Sequence, residues 1–121
     1  MPSSVLVVDD DPNLVRLMSK FLTLEGFAPV PAFNGAEALK YLRDGGTASV
    51  ILLDLRMPVM DGWAFRREQR ADPGLAGIPI VVLSGLEMDG VQDMAAAASF
   101  HKPVSFPDVV DVVRRLCNVA H

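Results

Sequence analysis

The sequence is short of several features, and each shortage excludes a class of protein. Cys117 is the only cysteine among 121 residues, so no disulfide can form within the chain, which fits a reducing compartment. No apolar run approaches the ~18 residues that a membrane span needs, and no signal-peptide pattern is present. From these absences we predict a cytoplasmic protein with no membrane partner.

Positive charge is also scarce along the chain. There are 11 Lys and Arg against 15 Asp and Glu, a formal net charge of −4, and no run of basic residues. Because contacts to nucleic-acid phosphates need clustered cations, this composition argues against direct binding of nucleic acid.

Apolar residues, by contrast, make up 50% of the chain, which suffices for one domain over residues 1–121. The predicted strands cover residues 5–8, 27–32, 50–53, 78–83 and 99–101. The predicted helices lie between Asp11 and Gly26, over residues 36–43, 63–70 and 91–98, and after Ser105. This strict alternation predicts an α/β fold, a doubly wound five-stranded parallel sheet covered on both faces. Pro29 and Pro31 lack ladder donors, which predicts an edge position for the second strand.

Polar side chains follow four of the predicted strands, at the point where each strand ends. Asp9 and Asp10 follow the first strand, Asp54 the third, Ser84 the fourth and Lys102 the fifth. The carboxyl ends of parallel strands share one edge of the sheet, where ligands bind in folds of this kind. We therefore expect these five side chains to form one site.

The residue types at this edge predict phosphoryl-transfer chemistry. Two carboxylates about 4 Å apart repel by roughly 4 kcal/mol at an effective dielectric of ~20, so three of them need a cation or a proton. Oxygen ligands favour Mg²⁺, while Lys102 can neutralise an anion and Ser84 can donate to one. Each residue alone has an ordinary explanation, such as a helix cap or a Ser-Gly turn. Their convergence favours a nucleophilic Asp54 beside a metal.

Four stretches in order resemble the response-regulator receiver domains of two-component and phosphorelay systems. They are residues 5–12 (VLVVDDDP), 52–62 (LLDLRMPVMDG), 81–85 (VVLSG) and 102–103 (KP). The resemblance covers nearly the whole chain, and residues 54–62 carry its most specific motif. It implies a (βα)₅ flavodoxin-like fold with strand order 2-1-3-4-5.

The resemblance also implies a role for each residue of the predicted site. Asp54 becomes the phosphoacceptor, Ser84 the switch hydroxyl, and Lys102 the cation that contacts the phosphoryl group. The implied ligands of Mg²⁺, for which Mn²⁺ can substitute, are Asp9, Asp10, Asp54 and the backbone carbonyl of Arg56.

The partners that the resemblance implies are a sensor histidine kinase or a histidine phosphotransfer protein, together with an output partner whose identity stays open. Phosphorylation would change the surface of the fourth helix, fifth strand and last helix, and a phosphorylation-dependent homodimer is one form of output that this allows. Such a domain is not an enzyme acting on other molecules, although it catalyses its own phosphorylation and dephosphorylation. Both a stand-alone regulator and the receiver of a longer chain fit.

Three other functions on the same fold were considered. A binding module that works without phosphorylation is open, although the complete set of site residues counts against it. A flavin-binding electron carrier needs a Ser/Thr/Gly-rich phosphate loop where residues 9–11 are acidic. An aspartate-based phosphatase would want a second acid at the position of Arg56, and usually a cap domain.

The chain departs from the family pattern at one place. Where the family has Tyr or Phe, three residues before the lysine, this chain has Ser99, and Phe100 follows. Strand alternation predicts that Phe100 lies on the opposite face, in the core. We therefore predict that output runs through residues 85–98 or His101, with no aromatic switch at position 99.

Overall fold

The computed structural model describes residues 2–85 and 91–119, in which five strands alternate with four α-helices and one short 3₁₀ helix. The strands are β1 (Ser4–Val8), β2 (Ala28–Ala32), β3 (Val50–Asp54), β4 (Ile80–Ser84) and β5 (Ala98–His101). The helices are α1 (Pro12–Leu24), α2 (Gly35–Arg43), α3 (Gly62–Ala71) and α4 (Phe106–Val119), with a short 3₁₀ helix over Val91–Met94. No helix in this part of the chain is long and apolar enough to cross a membrane.

All five strands are parallel, in the order β2-β1-β3-β4-β5. The predicted order is thus confirmed, as is the edge position of the proline-containing β2. In the register of the sheet, Val8 is paired with Leu53, and Ser84 with His101. The residues that follow these four positions therefore emerge at one edge, called the carboxyl edge below.

Two apolar layers cover the sheet. On one face, side chains such as Val7, Leu52 and Leu83 pack against α1 and α4. On the other face, their neighbours Val8 and Leu53 pack against α2 and α3. Burial on both faces explains why the three central strands, β1, β3 and β4, are nearly continuous apolar runs.

Side-chain caps begin three of the helices close to the carboxyl edge. Asp11 accepts a hydrogen bond from the backbone N–H of Asn13 at 3.0 Å, with Pro12 in the first turn of α1. Asn34 and Asp61 accept in the same way from the third residue beyond them, at 2.9 and 2.8 Å. Each cap satisfies a backbone donor that the helix leaves unpaired, so these helices can begin at the carboxyl edge.

The predicted helix over residues 91–98 is wrong. Only the 3₁₀ helix Val91–Met94 forms, the chain turns at Ala95 with a φ of 52°, and β5 begins at Ala98. The alanines of this stretch favour a helix, but the N–H of Ala97 donates to the carbonyl of Ile80 at 2.8 Å and joins the sheet. Pairing with β4 therefore overrides local propensity here. Part of the predicted coupling segment, residues 86–90, lies outside the described residues.

Polar side chains of α3 hold the segment that connects the 3₁₀ helix to β5. Arg66 donates from Nε to the carbonyl of Met94 at 2.8 Å and from Nη1 to Oε1 of Gln69 at 2.7 Å. A longer bond of 3.4 Å reaches the carbonyl of Ala95. Arg66 is only 7% exposed, so a guanidinium ties the segment to α3 from within the fold.

Gln69 extends this network on the other side. Its Nε2 donates to the carbonyls of Leu75 and Ile78, at 2.9 and 3.1 Å, and the residue is fully buried. Near the surface, Arg70 donates to the carbonyl of Asp93 at 2.9 Å. Arg66 and Gln69 are called the arginine cluster below.

Candidate functional site

Three carboxylates meet at the carboxyl edge, between the ends of β1 and β3. Oxygens of Asp9, Asp10 and Asp54 all lie within 4.8 Å of one another. Asp9 is fully buried and Asp54 is 4% exposed, whereas Asp10 lies at the surface. This acidic cluster thus combines two buried carboxylates with one at the surface, so an ion held there could keep part of its hydration shell.

Lys102 supplies a positive charge to the acidic cluster from the end of β5, at the same edge of the sheet. Its Nζ lies 2.8 Å from Oδ2 of Asp9 and 3.4 Å from Oδ1 of Asp54. The backbone N–H of Lys102 donates to the carbonyl of Ser84 at 2.7 Å, which anchors this residue beside the end of β4. Residues 93 positions apart in the chain are thus joined in one ion pair.

Backbone donors fix the two buried carboxylates. Oδ1 of Asp9 accepts from the N–H of Asp11, and Oδ1 of Asp54 accepts from the N–H of Leu55, both at 2.9 Å. Because each carboxylate is held by its own loop, the distances within the acidic cluster are set by the backbone.

The electrostatics of the site show a shortage of positive charge. Burial raises the pKa of Asp54 to about 6, helped by the charges of Asp9 and Asp10, although Lys102 opposes the rise. Burial lowers the pKa of Lys102, but its hydrogen bond to Asp9 and the charges of Asp9 and Asp54 outweigh this and raise it overall. One ammonium beside three carboxylates leaves a surplus of negative charge, which a divalent cation would relieve.

Gly62 allows α3 to begin directly against the end of β3. A Cβ atom here would lie 2.4 Å from the carbonyl oxygen of Asp54 and 2.8 Å from the Cα atom of Leu55. Its N–H donates to the carbonyl of Leu55 at 2.9 Å. Only glycine fits this close approach, which explains the residue at the end of the most specific motif.

The two remaining predicted site residues lie at the same edge. Ser84 ends β4 and is 1% exposed, one residue beyond the pair formed by Leu83 and Asp54. Arg56 is exposed in the loop two residues after Asp54. The structure therefore brings Asp9, Asp10, Asp54 and Lys102 into contact distance and places Ser84 and Arg56 beside them.

The face of β5 confirms that Phe100 belongs to the core. Phe100 is half-buried and packs into the layer of α1 and α4, whereas Ser99 and His101 are exposed on the opposite face. Nδ1 of His101 lies 3.3 Å from the carbonyl oxygen of Gly85. The only aromatic side chain of β5 is therefore already packed on the face away from Ser99.

The arginine cluster was not predicted from the sequence. A signal was present, because the residue one turn after the buried Phe65 is Gln69, where a core-facing helix would normally carry an apolar side chain. Charged and amide residues on the buried face of a helix indicate a polar network. The apolar periodicity that located α3 does not reveal its partners.

Comparison with known proteins agrees with the geometry. The sequence profile of the response regulator receiver domain matches residues 5–114. The chain belongs to this family. As a receiver domain it has a role in two-component signalling, so the predicted family, fold class and function are confirmed.

Individual relatives cover this receiver domain to different extents. The transcriptional regulatory protein GlrR of Escherichia coli is 39% identical over 84 residues, 69% of this chain but 18% of GlrR. The polar-differentiation response regulator DivK of Brucella anthropi is 25% identical over 118 residues, 94% of this chain and 95% of DivK. The receiver domain of the Francisella response regulator 1452 superposes with a TM-score of 0.88 at 24% identity, covering 98% of this chain and 99% of that one. The chain thus spans less than a fifth of GlrR and nearly all of DivK.

Proposed function

We propose that this receiver domain accepts a phosphoryl group on Asp54 from the phosphohistidine of a sensor histidine kinase or a histidine phosphotransfer protein. The observation that carries the proposal is the position of Lys102, whose Nζ lies 2.8 Å from Asp9 and 3.4 Å from Asp54. An ammonium beside a buried carboxylate and a second acid is suited to hold the oxygens of an incoming phosphoryl group.

The acidic cluster fits Mg²⁺. Its donors are all oxygens, within 4.8 Å of one another, and burial together with the charges of Asp9 and Asp10 raises the pKa of Asp54. We assign the ion to Asp9, Asp10, Asp54 and the backbone carbonyl of Arg56, and Mn²⁺ can substitute because it also takes oxygen ligands. When bound, such an ion neutralises the carboxylates and the phosphoryl oxygens.

The residues of the chain then have distinct tasks. An oxygen of Asp54 attacks phosphorus, the bond from phosphorus to the donor imidazole breaks, and the imidazole keeps the electron pair and takes up a proton. Lys102 stabilises the negative charge on the phosphoryl oxygens, and the hydroxyl of Ser84 donates a hydrogen bond to one of them. Water later cleaves the acyl phosphate, which restores the Asp54 carboxylate and releases phosphate.

Output would pass through the segment before β5. Ser99 has too small a side chain to act as an aromatic switch, and Phe100 is packed elsewhere. We propose that phosphorylation changes the surface formed by residues 91–101 and α4, where an output partner or a second copy of the chain binds. The backbone bond between Lys102 and Ser84 supports this route because it joins the site to the end of β5.

The test is phosphorylation by acetyl phosphate with Mg²⁺, followed by intact mass spectrometry. The wild type and an Asp111→Asn control, changed at an exposed acid of α4, should each gain one phosphoryl group. Asp54→Asn should gain none, and EDTA should abolish labelling of the wild type. Equal labelling of wild type and Asp54→Asn would refute the assignment, and a wild type that is never labelled would favour a binding module that works without phosphorylation.

A further inference from the structure

Val59 has an unusual backbone conformation in the loop between Asp54 and α3. Its φ is 69°, and the N–H of Met60 donates to the carbonyl of Pro58 at 2.8 Å, which closes a three-residue γ-turn centred on Val59. Gamma turns with positive φ are rare and strained, and a β-branched residue is poorly suited to that region. Asparagine or glycine would adopt the same turn with less strain.

The fold makes no use of the Val59 side chain. It is 85% exposed, whereas Met57 is buried and Met60 is half-buried against the core. The loop is fixed by other groups, since the N–H of Gly35 donates to the carbonyl of Met60 at 2.9 Å. An apolar side chain is therefore held in solvent on an anchored loop, at a cost in backbone strain that no contact within the described chain offsets.

A second exposed apolar side chain lies on the neighbouring loop. Phe33 follows β2 and is 40% exposed, two residues before the Gly35 that bonds to the loop of Val59. Both side chains lie at the carboxyl edge, Val59 in the loop that follows Asp54 and Phe33 in the neighbouring loop. A protein that brings a histidine to Asp54 must cover part of this edge, whereas a small phosphodonor need not.

We propose that Val59, together with Phe33, forms an apolar contact with the protein that donates the phosphoryl group. This proposal rests on the proposed function, because it concerns access to the same Asp54. Burial of an exposed apolar side chain stabilises a complex, and an anchored loop loses little further entropy on binding. The kind of partner that fits is a phosphohistidine protein with an apolar surface beside its histidine.

The test compares protein and small-molecule phosphodonors on variants at position 59. The protein donors are the phosphorylated histidine kinases and histidine phosphotransfer proteins encoded in the same genome, and the donor that transfers fastest to the wild type is used. With it, Val59→Asn should lower kcat/KM of phosphotransfer about tenfold, whereas Val59→Leu should stay within about threefold of the wild type. With acetyl phosphate and Mg²⁺, both variants should react within about twofold of the wild type.

Two further measurements separate contact from strain. Val59→Asn should raise the urea midpoint of unfolding, because the γ-turn is relaxed. A control variant, Leu24→Asn, removes an equally exposed apolar side chain (83%) at the far end of α1 and should leave phosphotransfer unchanged.

Several results would overturn the proposal. Wild-type transfer from the protein donor to Val59→Asn would do so, as would an equal loss with acetyl phosphate, which would mean that Val59 shapes the site itself. An equal loss in Val59→Leu would show that apolarity is not what matters. If no histidine kinase or histidine phosphotransfer protein transfers while acetyl phosphate labels Asp54, the donor contact is refuted. If neither donor labels Asp54, the proposed function itself fails.

Discussion

Two polar clusters in this molecule have buried members and differ in how their charge is balanced. The acidic cluster with Lys102 lies at the carboxyl edge, and the arginine cluster lies between α3 and the segment before β5. Within the described residues every buried side-chain nitrogen and oxygen has a hydrogen-bond partner, so neither cluster is distinguished by unmet hydrogen bonds. The comparison therefore turns on how the charge in each cluster is balanced.

The acidic cluster has more carboxylates than cations, and the pKa of Asp54 is raised to about 6. It can be relieved by a proton or a metal ion, and so its state depends on the solution. In the arginine cluster, neutral carbonyls and an amide accept from one guanidinium. Burial and the charge of Arg70 lower the pKa of Arg66, but an arginine stays protonated at physiological pH. A buried cluster with a variable charge indicates a functional site, and one with a constant charge indicates a structural tie.

The largest expected effect comes from removing the structural tie. Arg66→Met keeps the unbranched apolar stem of the side chain but leaves the buried carbonyl of Met94 without its donor. We expect a loss of about 2 kcal/mol in the free energy of unfolding in urea. Amide hydrogen exchange should speed up most over residues 94–97. Arg67→Met, on the exposed neighbour, is the control, and an equal loss in both variants would contradict the role of Arg66.

A change of the opposite sign is expected at the acidic cluster. Without metal, in EDTA, Asp54→Asn should stabilise the fold at pH 7 by roughly 1–2 kcal/mol. One pKa unit corresponds to about 1.4 kcal/mol, and water at the open edge screens part of the full shift. The check is urea unfolding at several pH values, with Asp111→Asn as a control that should behave like the wild type.

The pH dependence fixes the sign of this second prediction. The pKa of Asp54 is higher in the folded state than in the unfolded state, so the folded protein binds more protons between about pH 4 and pH 6. Wild-type stability should therefore fall as the pH rises through this window, and the gain in Asp54→Asn should vanish below it. A flat difference between the two proteins would show that the Asp54 carboxylate is not destabilised by its surroundings.

The smallest expected effect on the free energy of unfolding concerns the arginine cluster where it reaches the protein surface. Arg70 makes one hydrogen bond, to the carbonyl of Asp93, near the mouth of the arginine cluster. Because a solvent-exposed carbonyl can bond to water instead, Arg70→Ala should cost less than about 0.5 kcal/mol in urea unfolding. A cost as large as that of Arg66→Met would mean that the segment is held from outside as well as from within.

The strands and the acidic cluster could be predicted from the sequence, whereas the arginine cluster could not. The strands and the carboxyl edge were predictable because apolar runs and alternation depend on residues close together in the chain. Asp9, Asp54 and Lys102 could then be placed at one edge by the rule for parallel sheets. The sequence showed Gly62 only as part of a motif and did not reveal its close approach to Asp54.

What failed to be predicted depends on contacts between distant parts of the chain. The alanine-rich residues 95–98 favour a helix locally, yet Ala97 bonds to Ile80 and Ala98 pairs in the sheet. The hydrogen bonds of Arg66 reach 28 positions along the chain. Neither the strand pairing nor the network of Arg66 leaves a periodic pattern in the sequence, because each joins residues that are far apart in the chain.

The separation of 93 residues between Lys102 and Asp9 has a consequence for folding during synthesis on the ribosome. Synthesis proceeds at about 5–20 residues per second, so Asp9 and Asp54 leave the ribosome seconds before Lys102 does. Until β5 adds to the sheet, a nascent chain carries the acids without the ammonium that pairs with Asp9 and Asp54. The proposed phosphorylation would therefore need β5 in the sheet, because only then does Lys102 lie beside Asp54.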